Sequence, residues 1–197
     1  MAARGATRKR LVQAALDLLR RRGLHGSGLQ EVLAQSGAPR GSLYFHFPGG
    51  KEELVREAVR EGALTADRWL RASLAESGTA ADAVDRFLAR HGRQLLESEF
   101  EAGCPVAGVA LDLDGAAQRL RTACDWALTG WVTLLAERLR AEGRAPEEAE
   151  ALALTAVAGL EGSLVLCRAR RSLDPLLAVA GQLRRLLEPP VLELPTT

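Results

Sequence analysis

Apolar residues recur at helical spacing along almost the whole chain, and this periodicity constrains the fold more than any other feature. In residues 7–22, for example, four apolar residues share one face of a helix: Leu11, Ala15, Leu18 and Leu19. Runs of alternating valine, threonine and tyrosine, which would indicate strands, do not occur in the sequence. The sequence therefore predicts an all-α protein of about nine helices.

Glycine and proline divide the chain into these helices. Gly23 is expected to end the first helix and Gly37 the second. Pro39 is tolerated only at the start of a helix, so a third helix is expected over residues 40–46. The remaining helices are predicted over residues 51–77, 79–99, 105–111, 116–142, 146–171 and 174–188.

Two expectations concern single positions in these helices. Ser27 stands three residues before Gln30, which is the spacing of a capping box, so we expect Ser27 to open the second helix. Gly62 is the weak point of the helix over residues 51–77, because glycine lowers helix stability. That helix is expected to be either long and continuous or kinked.

Charge is distributed unevenly along the chain, although its total is close to zero. Residues 1–51 carry nine basic and two acidic side chains, a formal charge of +7, whereas residues 52–197 carry −6. A basic segment attached to a larger acidic body is typical of a module that binds a polyanion. Charge alone leaves an ordinary solvated basic surface as an equal alternative. We expect a small domain over residues 1–50 and a larger one over residues 51–197.

The pattern of residues 27–51 predicts a helix-turn-helix, because two short helices are joined there by a tight turn that contains glycine. In this architecture the first helix crosses the DNA backbone and the second enters the major groove. Leu43 and Phe47 of the second helix are expected to face the core of the domain. The other side chains of this helix are then available to a duplex.

The second short helix carries side chains suited to DNA contacts. Arg40 can donate two hydrogen bonds to guanine O6 and N7 or hold a phosphate, and Gly41 allows a close approach to the duplex. Ser42 can bond a base edge or a phosphate. Tyr44 and His46 offer polar groups on rings for phosphate or thymine-methyl contacts. The alternatives are a core position for Tyr44 and an ordinary surface position for His46.

Lys51 stands at the start of the following helix, where its ammonium group and exposed backbone N–H groups both favour a phosphate. An ordinary surface lysine is the alternative. The basic run at residues 20–22 is expected to be a solvated helix end rather than a reader of bases.

The stretch SGAPRGSLYFHFPGGKEEL at residues 36–54 resembles the DNA-binding signature of TetR-family transcriptional regulators. The shared pattern runs from a glycine through a basic, a small and a hydroxyl residue to Leu-Tyr, further aromatic residues and a helix start of Lys-Glu-Glu-Leu type. With the Gly-Cys-Pro-Val-Ala sequence at residues 103–107, the chain is similar to the LmrA/YxaF-type subgroup.

The resemblance implies a dimeric, one-component repressor of the cytoplasm that is not an enzyme and needs no cofactor or metal. Its N-terminal helices would bind a palindromic operator in double-stranded DNA, and its C-terminal domain would dimerise and hold a small, usually hydrophobic effector. Effector binding would move the long connecting helix, so that the two recognition helices no longer match successive major grooves. The DNA-contact roles of the family fall by motif position on seven residues: Ser27, Arg40, Gly41, Ser42, Tyr44, His46 and Lys51.

Three positions depart from the family pattern. Pro39 replaces the usual capping serine and has no N–H or hydroxyl to offer. Gly28 stands where a threonine often touches phosphate. Phe45 is bulkier and less polar than the histidine that is frequent at its position.

The dimer interface is expected in two long helices near the C-terminus that are apolar over more than one face. The first contributes Trp126, Leu128, Trp131, Leu134, Leu135 and Leu139, and the second Leu152, Leu154, Val157, Leu160, Leu164 and Leu166. A strip of small residues, Thr155, Gly159 and Ser163, would let another helix approach closely. We expect a two-fold dimer through a four-helix bundle, with burial inside one subunit as the alternative.

The effector site is expected among large or polarisable residues of the middle helices, which suit an apolar cavity. The candidates are Trp69, Phe87, His91, Phe100, Cys104, Trp126, Trp131 and Glu161, the last being a single charge in an apolar helix. Ordinary core positions are the alternative for each of them, and the hypothesis requires a cavity in this region.

Other function classes lack their motifs in the sequence. Gly50 and Lys51 do not form a Walker A loop, because Phe45 stands where that motif requires glycine. A nucleophile elbow and a metal-binding histidine pair are also missing from the sequence. The alternatives to a DNA-binding regulator are an enzyme with a different kind of site and a helical protein-interaction module.

The cysteines and the apolar runs indicate the compartment. Cys104, Cys124 and Cys167 are too few and too widely spaced for a disulfide framework or a zinc site. We expect the three cysteines to be small buried side chains in a reducing cytosol. A redox- or ligand-reactive thiol is the alternative. Charge-free apolar stretches such as residues 151–160 are shorter than the ~18 residues of a membrane span, so no membrane association is expected.

Overall fold

The computed structural model describes residues 2–114 and 117–189, with side chains described from Gly5 onward. These residues form nine helices and no strand, which confirms the all-α prediction. The helices are α1 (Ala2–Arg22), α2 (Leu29–Ser36), α3 (Arg40–His46), α4 (Gly50–Ala75), α5 (Ala80–Glu97), α6 (Pro105–Leu111), α7 (Gln118–Ala141), α8 (Pro146–Arg170) and α9 (Asp174–Leu187). Ala116, the predicted first residue of α7, lies outside the described residues.

The turn between α2 and α3 has the predicted construction. Gly37 follows α2 with a φ of 61°, a left-handed conformation that glycine adopts without strain. Pro39 immediately precedes α3, where its missing N–H leaves no helical hydrogen bond unmade. A turn of residues 37–39 therefore joins the two short helices.

The start of α2 differs from the prediction. Gly28 is the N-cap residue, and its N–H donates to the carboxylate of Glu31 over 3.3 Å. Ser27 does not cap the helix, because its hydroxyl donates to the carbonyl oxygen of Gly23 at 2.6 Å. The capping-box prediction for Ser27 is wrong, and this residue belongs to the packed connection between α1 and α2.

α4 is one continuous helix that Gly62 does not interrupt. A Cβ atom at this position would lie 2.7 Å from Cγ of Pro105 and 3.0 Å from a Cδ atom of Leu16. Glycine is required here because α4 packs closely against α1 and α6.

The described residues form two compact units. The first contains the residues up to Ala66 together with Glu97–Leu128, and the second contains Asp67–Leu96 and the residues from Thr129 onward. Both α4 and α7 contribute residues to each unit. The units do not divide at residue 50, and the assignment of DNA binding to residues 1–50 stays a prediction.

In the first unit, α1 packs against α2, α3 and α6. The apolar stripe of α1 is buried, and Leu43 of α3 and Phe47, which follows α3, are buried completely, which confirms their predicted direction. α3 is thus attached to the domain along one edge only.

In the second unit, α8 packs against α9. A Cβ atom on Gly159 would lie 3.2 Å from Cγ1 of Val179 and 3.6 Å from a Cδ atom of Leu183, both on α9. The hydroxyl of Ser163 is buried and donates to the carbonyl of Leu160. Gly159 of the small-residue strip therefore admits a helix, as expected, but that helix is α9 of the same chain.

The cysteines differ in accessibility. Cys124 and Cys167 are buried, whereas Cys104 is partly exposed. Removal from water disfavours the thiolate, so burial raises the pKa of the Cys124 thiol to about 11 and also raises the pKa of Cys167. The expectation of small buried side chains is confirmed for these two cysteines.

We predict that iodoacetamide at about pH 8 alkylates Cys104 and leaves Cys124 unmodified in the folded protein. With a pKa of about 11, only about one Cys124 side chain in a thousand is a thiolate at that pH, and the thiolate is the nucleophile. Peptide mass mapping after timed alkylation gives the order of reaction, and all three cysteines should react in denaturant. Alkylation of Cys124 as fast as Cys104 without denaturant would contradict the prediction.

Candidate nucleic-acid interface

α3 exposes its N-terminal residue, Arg40, and the side that lies opposite its buried edge. Arg40 and Gly41 are exposed, Tyr44 is 53% exposed, and Ser42 and His46 are half-buried. A Cβ atom on Gly41 would have no neighbour within 4 Å. Nothing in the packing of the described residues therefore requires glycine at this position, and the space above it is open to another molecule.

The cation of Arg40 is not used inside the protein. No hydrogen bond or ion pair connects its guanidinium to another residue in the described parts of the chain. Other arginines of the basic segment are engaged: Arg8 pairs with Glu57 at 2.7 Å and Arg22 with Glu31 at 2.6 Å. Arg40 is thus a charge that an external anion or base edge can meet without breaking an internal bond.

Lys51 is connected to the loop that follows α1. Its Nζ donates to the carbonyl oxygen of Leu24 over 3.0 Å, while the N–H of Leu24 donates to the carboxylate of Asp112 over 2.8 Å. One of the three ammonium donors is thereby engaged and the side chain is held in place. Lys51 is a positioned cation rather than a mobile surface lysine.

The start of α4 is less open than the sequence suggests. Glu53 accepts a hydrogen bond from the N–H of Gly49 over 2.8 Å, and Glu52 adds a second carboxylate in the first turn. Both carboxylates compete with an anion for this helix terminus. The phosphate-binding potential of this corner therefore depends mainly on the Lys51 ammonium.

Ser27 does not present its side chain to a duplex, whereas Arg21 and Arg22 of the basic run at residues 20–22 are exposed but paired. Ser27 is only 3% exposed, and its hydroxyl is bonded internally. Arg21 and Arg22 form ion pairs with carboxylates, and burial lowers the pKa of Arg20. Among the seven candidate DNA-contact residues, Ser27 is the one whose side chain lies inside the first unit.

Phe45 is not among the DNA-contact residues predicted from the sequence, where it stands only as a departure from the family pattern. The structure places its ring on the outside of α3 with 65% of its surface exposed, more than Tyr44 beside it. The outward direction of Phe45 could have been predicted from helical spacing, because Phe45 lies on the opposite side of the helix from Leu43 and Phe47.

Three of the candidate effector residues form one aromatic cluster in the second unit. The ring of His91 meets the rings of Phe87 and Trp69 edge to face, with centroid separations of 4.6 and 5.5 Å. Nδ1 of His91 lies 3.0 Å from the carbonyl oxygen of Phe87. The imidazole is therefore fixed in orientation by its neighbours.

A small apolar cavity of about 20 Å³ adjoins this cluster. Its lining consists of Leu70, Val84, Phe87, Leu88, Trp131, Leu135, Ala156, Val157 and Leu160. Effector-sized pockets measure roughly 300–1,000 Å³, so this space holds about one water molecule. Only Phe87 and Trp131 of the eight candidates line it.

The other candidates occupy different surroundings. Phe100, Cys104 and Trp126 belong to the first unit, and Trp126 is 52% exposed. Glu161 is half-buried on α8. No group of three or more histidine, cysteine, aspartate or glutamate side chains in the described residues is arranged to hold a metal ion.

The apolar residues of α7 are mostly used inside the chain. Trp131, Leu135 and Leu139 are buried, and the first two line the small cavity of the second unit. The assignment of these α7 residues to a subunit interface is therefore not supported, because their own unit already covers them.

α8 retains an uncovered apolar face. It consists of eight exposed residues at helical spacing: Ala151, Leu154, Thr155, Ala158, Gly162, Val165, Leu166 and Ala169. None of them is charged, and Leu154 is 59% exposed. We call these residues the α8 stripe. On α9, Leu177 and Leu186 are also exposed apolar residues.

The chain matches two family descriptions. Residues 11–58 match "Bacterial regulatory proteins, tetR family", and residues 80–182 match "Transcriptional regulator LmrA/YxaF-like, C-terminal domain". An HTH-type transcriptional regulator of Mycobacterium tuberculosis is 39% identical over 185 residues, which cover 91% of this chain and 93% of the relative. The HTH-type transcriptional regulator LmrA of Bacillus subtilis is 32% identical, and the match covers 93% of this chain and 98% of LmrA.

Solved structures have the same fold. A regulatory protein TetR from Rhodobacter sphaeroides superimposes with a TM-score of 0.82 at 22% identity, covering 90% of this chain and 97% of that one. A cysteine mutant of the TetR-family regulator CifR, solved with a 26-bp double-strand operator DNA, gives a TM-score of 0.77 at 27% identity, covering 90% and 94%. The chain therefore belongs to the TetR family of bacterial transcriptional regulators, which bind DNA through a helix-turn-helix, and within that family to the LmrA/YxaF-like group.

Proposed function

We propose that this regulator is a repressor that binds a palindromic operator as a homodimer and is released by a small apolar effector. The outer surface of α3 carries this proposal, because Arg40, Gly41 and Tyr44 are exposed while Leu43 and Phe47 attach the helix to its domain. The operator complex of CifR supports double-stranded DNA as the partner. A regulator of bacterial transcription acts where the chromosome is, so we assign it to the cytoplasm.

The candidate residues divide into readers and positioning groups. Arg40 reads guanine through its two-pronged guanidinium, and Gly41 allows the helix backbone to approach the groove. Tyr44 and Ser42 lie on either side of Gly41 on the helix surface and reach base edges or phosphates. Lys51, whose Nζ is bonded to the carbonyl of Leu24, contacts a phosphate. It contributes equally to the affinity for every DNA sequence. His46 supplies a further phosphate contact.

The α8 stripe supports a second copy of the chain as the partner of the second unit. A two-fold dimer brings the same face of both subunits together, and the α8 stripe contains both large and small residues that can pack against each other. Cβ atoms on Gly162 and Gly181 would have no neighbour within 4 Å, which leaves room for another helix. We propose a four-helix bundle of α8 and α9 from each subunit, in place of α7 and α8.

A lipid bilayer is the alternative occupant of the α8 stripe. By length and composition, α8 is long and apolar enough to cross a membrane, contrary to the expectation from charge-free runs. However, its opposite face is packed against its own unit, and charged residues flank the stripe at Glu150, Glu161 and Arg168. A helix in lipid needs an apolar surface all round, so a second subunit fits the stripe better.

The effector part of the proposal requires the second unit to open. The aromatic cluster and its cavity of about 20 Å³ have the apolar lining that a hydrophobic molecule needs, but not the volume. Trp69 and Leu70 belong to α4, the same helix that begins beside Lys51. We propose that an effector separates Phe87 from Trp131 and displaces α4, which changes the position of the DNA-contact residues.

The proposal is tested by fluorescence polarisation with labelled duplexes. DNA upstream of the protein's own gene is compared with an unrelated duplex of equal length between about 50 and 200 mM salt. Specific binding should survive at the higher salt, with a salt slope that reflects several phosphate contacts. Selection of bound fragments from random DNA then defines the operator, which should be palindromic.

Three results would overturn the proposal. Equal affinity for all duplexes at every salt concentration would show that the protein does not recognise a specific sequence. A complete lack of DNA binding would favour an enzyme or a protein-interaction module. A selected site without two-fold symmetry would remove the dimeric mode of binding.

A further inference from the structure

Phe45 occupies the centre of the surface that α3 presents to solvent. Successive helical residues are about 100° apart, so the direction midway between Leu43 and Phe47 is about 180° from Phe45. Gly41 lies about 140° and Tyr44 about 80° from that buried direction. Of the two aromatic side chains, Phe45 is the more exposed, at 65% against 53% for Tyr44. A duplex that receives α3 along its outer face meets Phe45 first.

The surroundings of Phe45 allow its ring to enter a groove. Its ring meets that of His46 edge to face, with a centroid separation of 5.0 Å. One turn earlier, the space above Gly41 is open. The helix therefore has a projecting ring next to a position without a side chain, which permits the backbone to lie close to base edges.

The chemistry of the ring limits what it can recognise. Phenylalanine has no hydrogen-bond donor or acceptor, so it cannot read the polar atoms of a base edge. The apolar group that base edges present in the major groove is the C5-methyl of thymine. We infer that Phe45 reads a thymine in each half-site of the operator by packing its ring against this methyl group.

This inference rests on the proposed function and makes it more specific. A histidine, which is frequent at this position in the family, can bond a phosphate or a polar base edge, whereas Phe45 recognises a methyl group. The operator of this protein should therefore contain a thymine near the centre of each half-site. The packing of one methyl group accounts for about a four-fold change in affinity per half-site, and about fifteen-fold for two symmetric half-sites.

The test replaces thymine by deoxyuridine, which differs only by the missing methyl group. The probe is the duplex selected from random DNA by the unaltered protein, with deoxyuridine introduced at one symmetric pair of positions at a time. Binding of the unaltered protein should fall about fifteen-fold at one pair and stay constant at the others. Phe45→Ala should bind all these duplexes with equal, reduced affinity, and Phe45→Leu should keep part of the methyl dependence.

Phe45→His and thermal unfolding complete the design. Phe45→His should bind without dependence on the thymine methyl, because imidazole interacts through its polar nitrogen atoms. All three variants should unfold at the temperature of the unaltered protein, since the replaced ring is largely exposed. If no deoxyuridine pair weakens the unaltered protein, or if Phe45→Ala keeps the full dependence, the inference is overturned. If no specific duplex is selected at all, the proposed function fails instead.

Discussion

Arg40→Ala is expected to remove most of the preference for the operator over unrelated DNA. The guanidinium of Arg40 is exposed and has no ion pair within the described residues, so its loss leaves the fold unchanged. A bidentate arginine–guanine contact contributes about 1–3 kcal/mol of discrimination, and a dimer makes it twice. Specific affinity should therefore fall about 30-fold or more, while the affinity for unrelated duplexes falls only slightly. Polarisation titrations with both duplexes at one salt concentration measure the ratio.

Lys51→Ala is the matched comparison for this experiment. It removes a positioned cation that contacts phosphate in the proposal, so operator and unrelated DNA should lose affinity by the same factor. The salt slope should decrease by about 2 for the dimer. Because the bond from Lys51 to Leu24 is also lost, the thermal unfolding temperature must be measured alongside. Equal effects of the two substitutions on the affinity ratio would contradict the division of roles between Arg40 and Lys51.

The local geometry of the recognition helix was predictable because each boundary has its own residue signal. Gly37 supplies the left-handed turn and Pro39 the helix start, and the spacing of Leu43 and Phe47 identifies the buried edge. The residue that caps α2 was not predictable in the same way. Ser27 has the right spacing, but tertiary packing gives its hydroxyl the Gly23 carbonyl as a partner. The spacing of a short motif does not show that a carbonyl outside the helix competes for the same hydroxyl.

The neighbours of each apolar face could not be predicted from periodicity. α7 and α8 both show apolar residues on more than one side, and the sequence cannot say which side is covered by the same chain. The structure covers Trp131 and Leu135 of α7 internally and leaves Leu154 of α8 exposed. Similarly, aromatic residues predicted an effector site, although only Phe87 and Trp131 reach the small cavity. Side-chain composition does not determine how completely a core closes.

The second large effect is expected from a substitution in the α8 stripe. Leu154→Arg should convert the protein to monomers at micromolar concentration. Leu154 is 59% exposed in the single chain, so the substitution should not disturb its own unit. In the proposed dimer, an arginine would be buried on each side without a partner, and an unpaired buried charge costs about 3–5 kcal/mol. The dissociation constant of the dimer should rise at least about 100-fold. Sedimentation equilibrium over a concentration series measures this change.

Operator binding distinguishes a functional dimer from an incidental one. A Leu154→Arg monomer carries one recognition helix, so it should lose specific operator binding while its helical content and unfolding transition persist. Glu150→Arg is the matched control, because it places the same side chain on an exposed position of α8 outside the stripe, and it should remain dimeric and active. If Leu154→Arg stays dimeric, the stripe is not the subunit interface. If it is monomeric yet binds the palindrome with unchanged affinity, recognition does not depend on pairing two copies of α3, since each half-site would then be held independently.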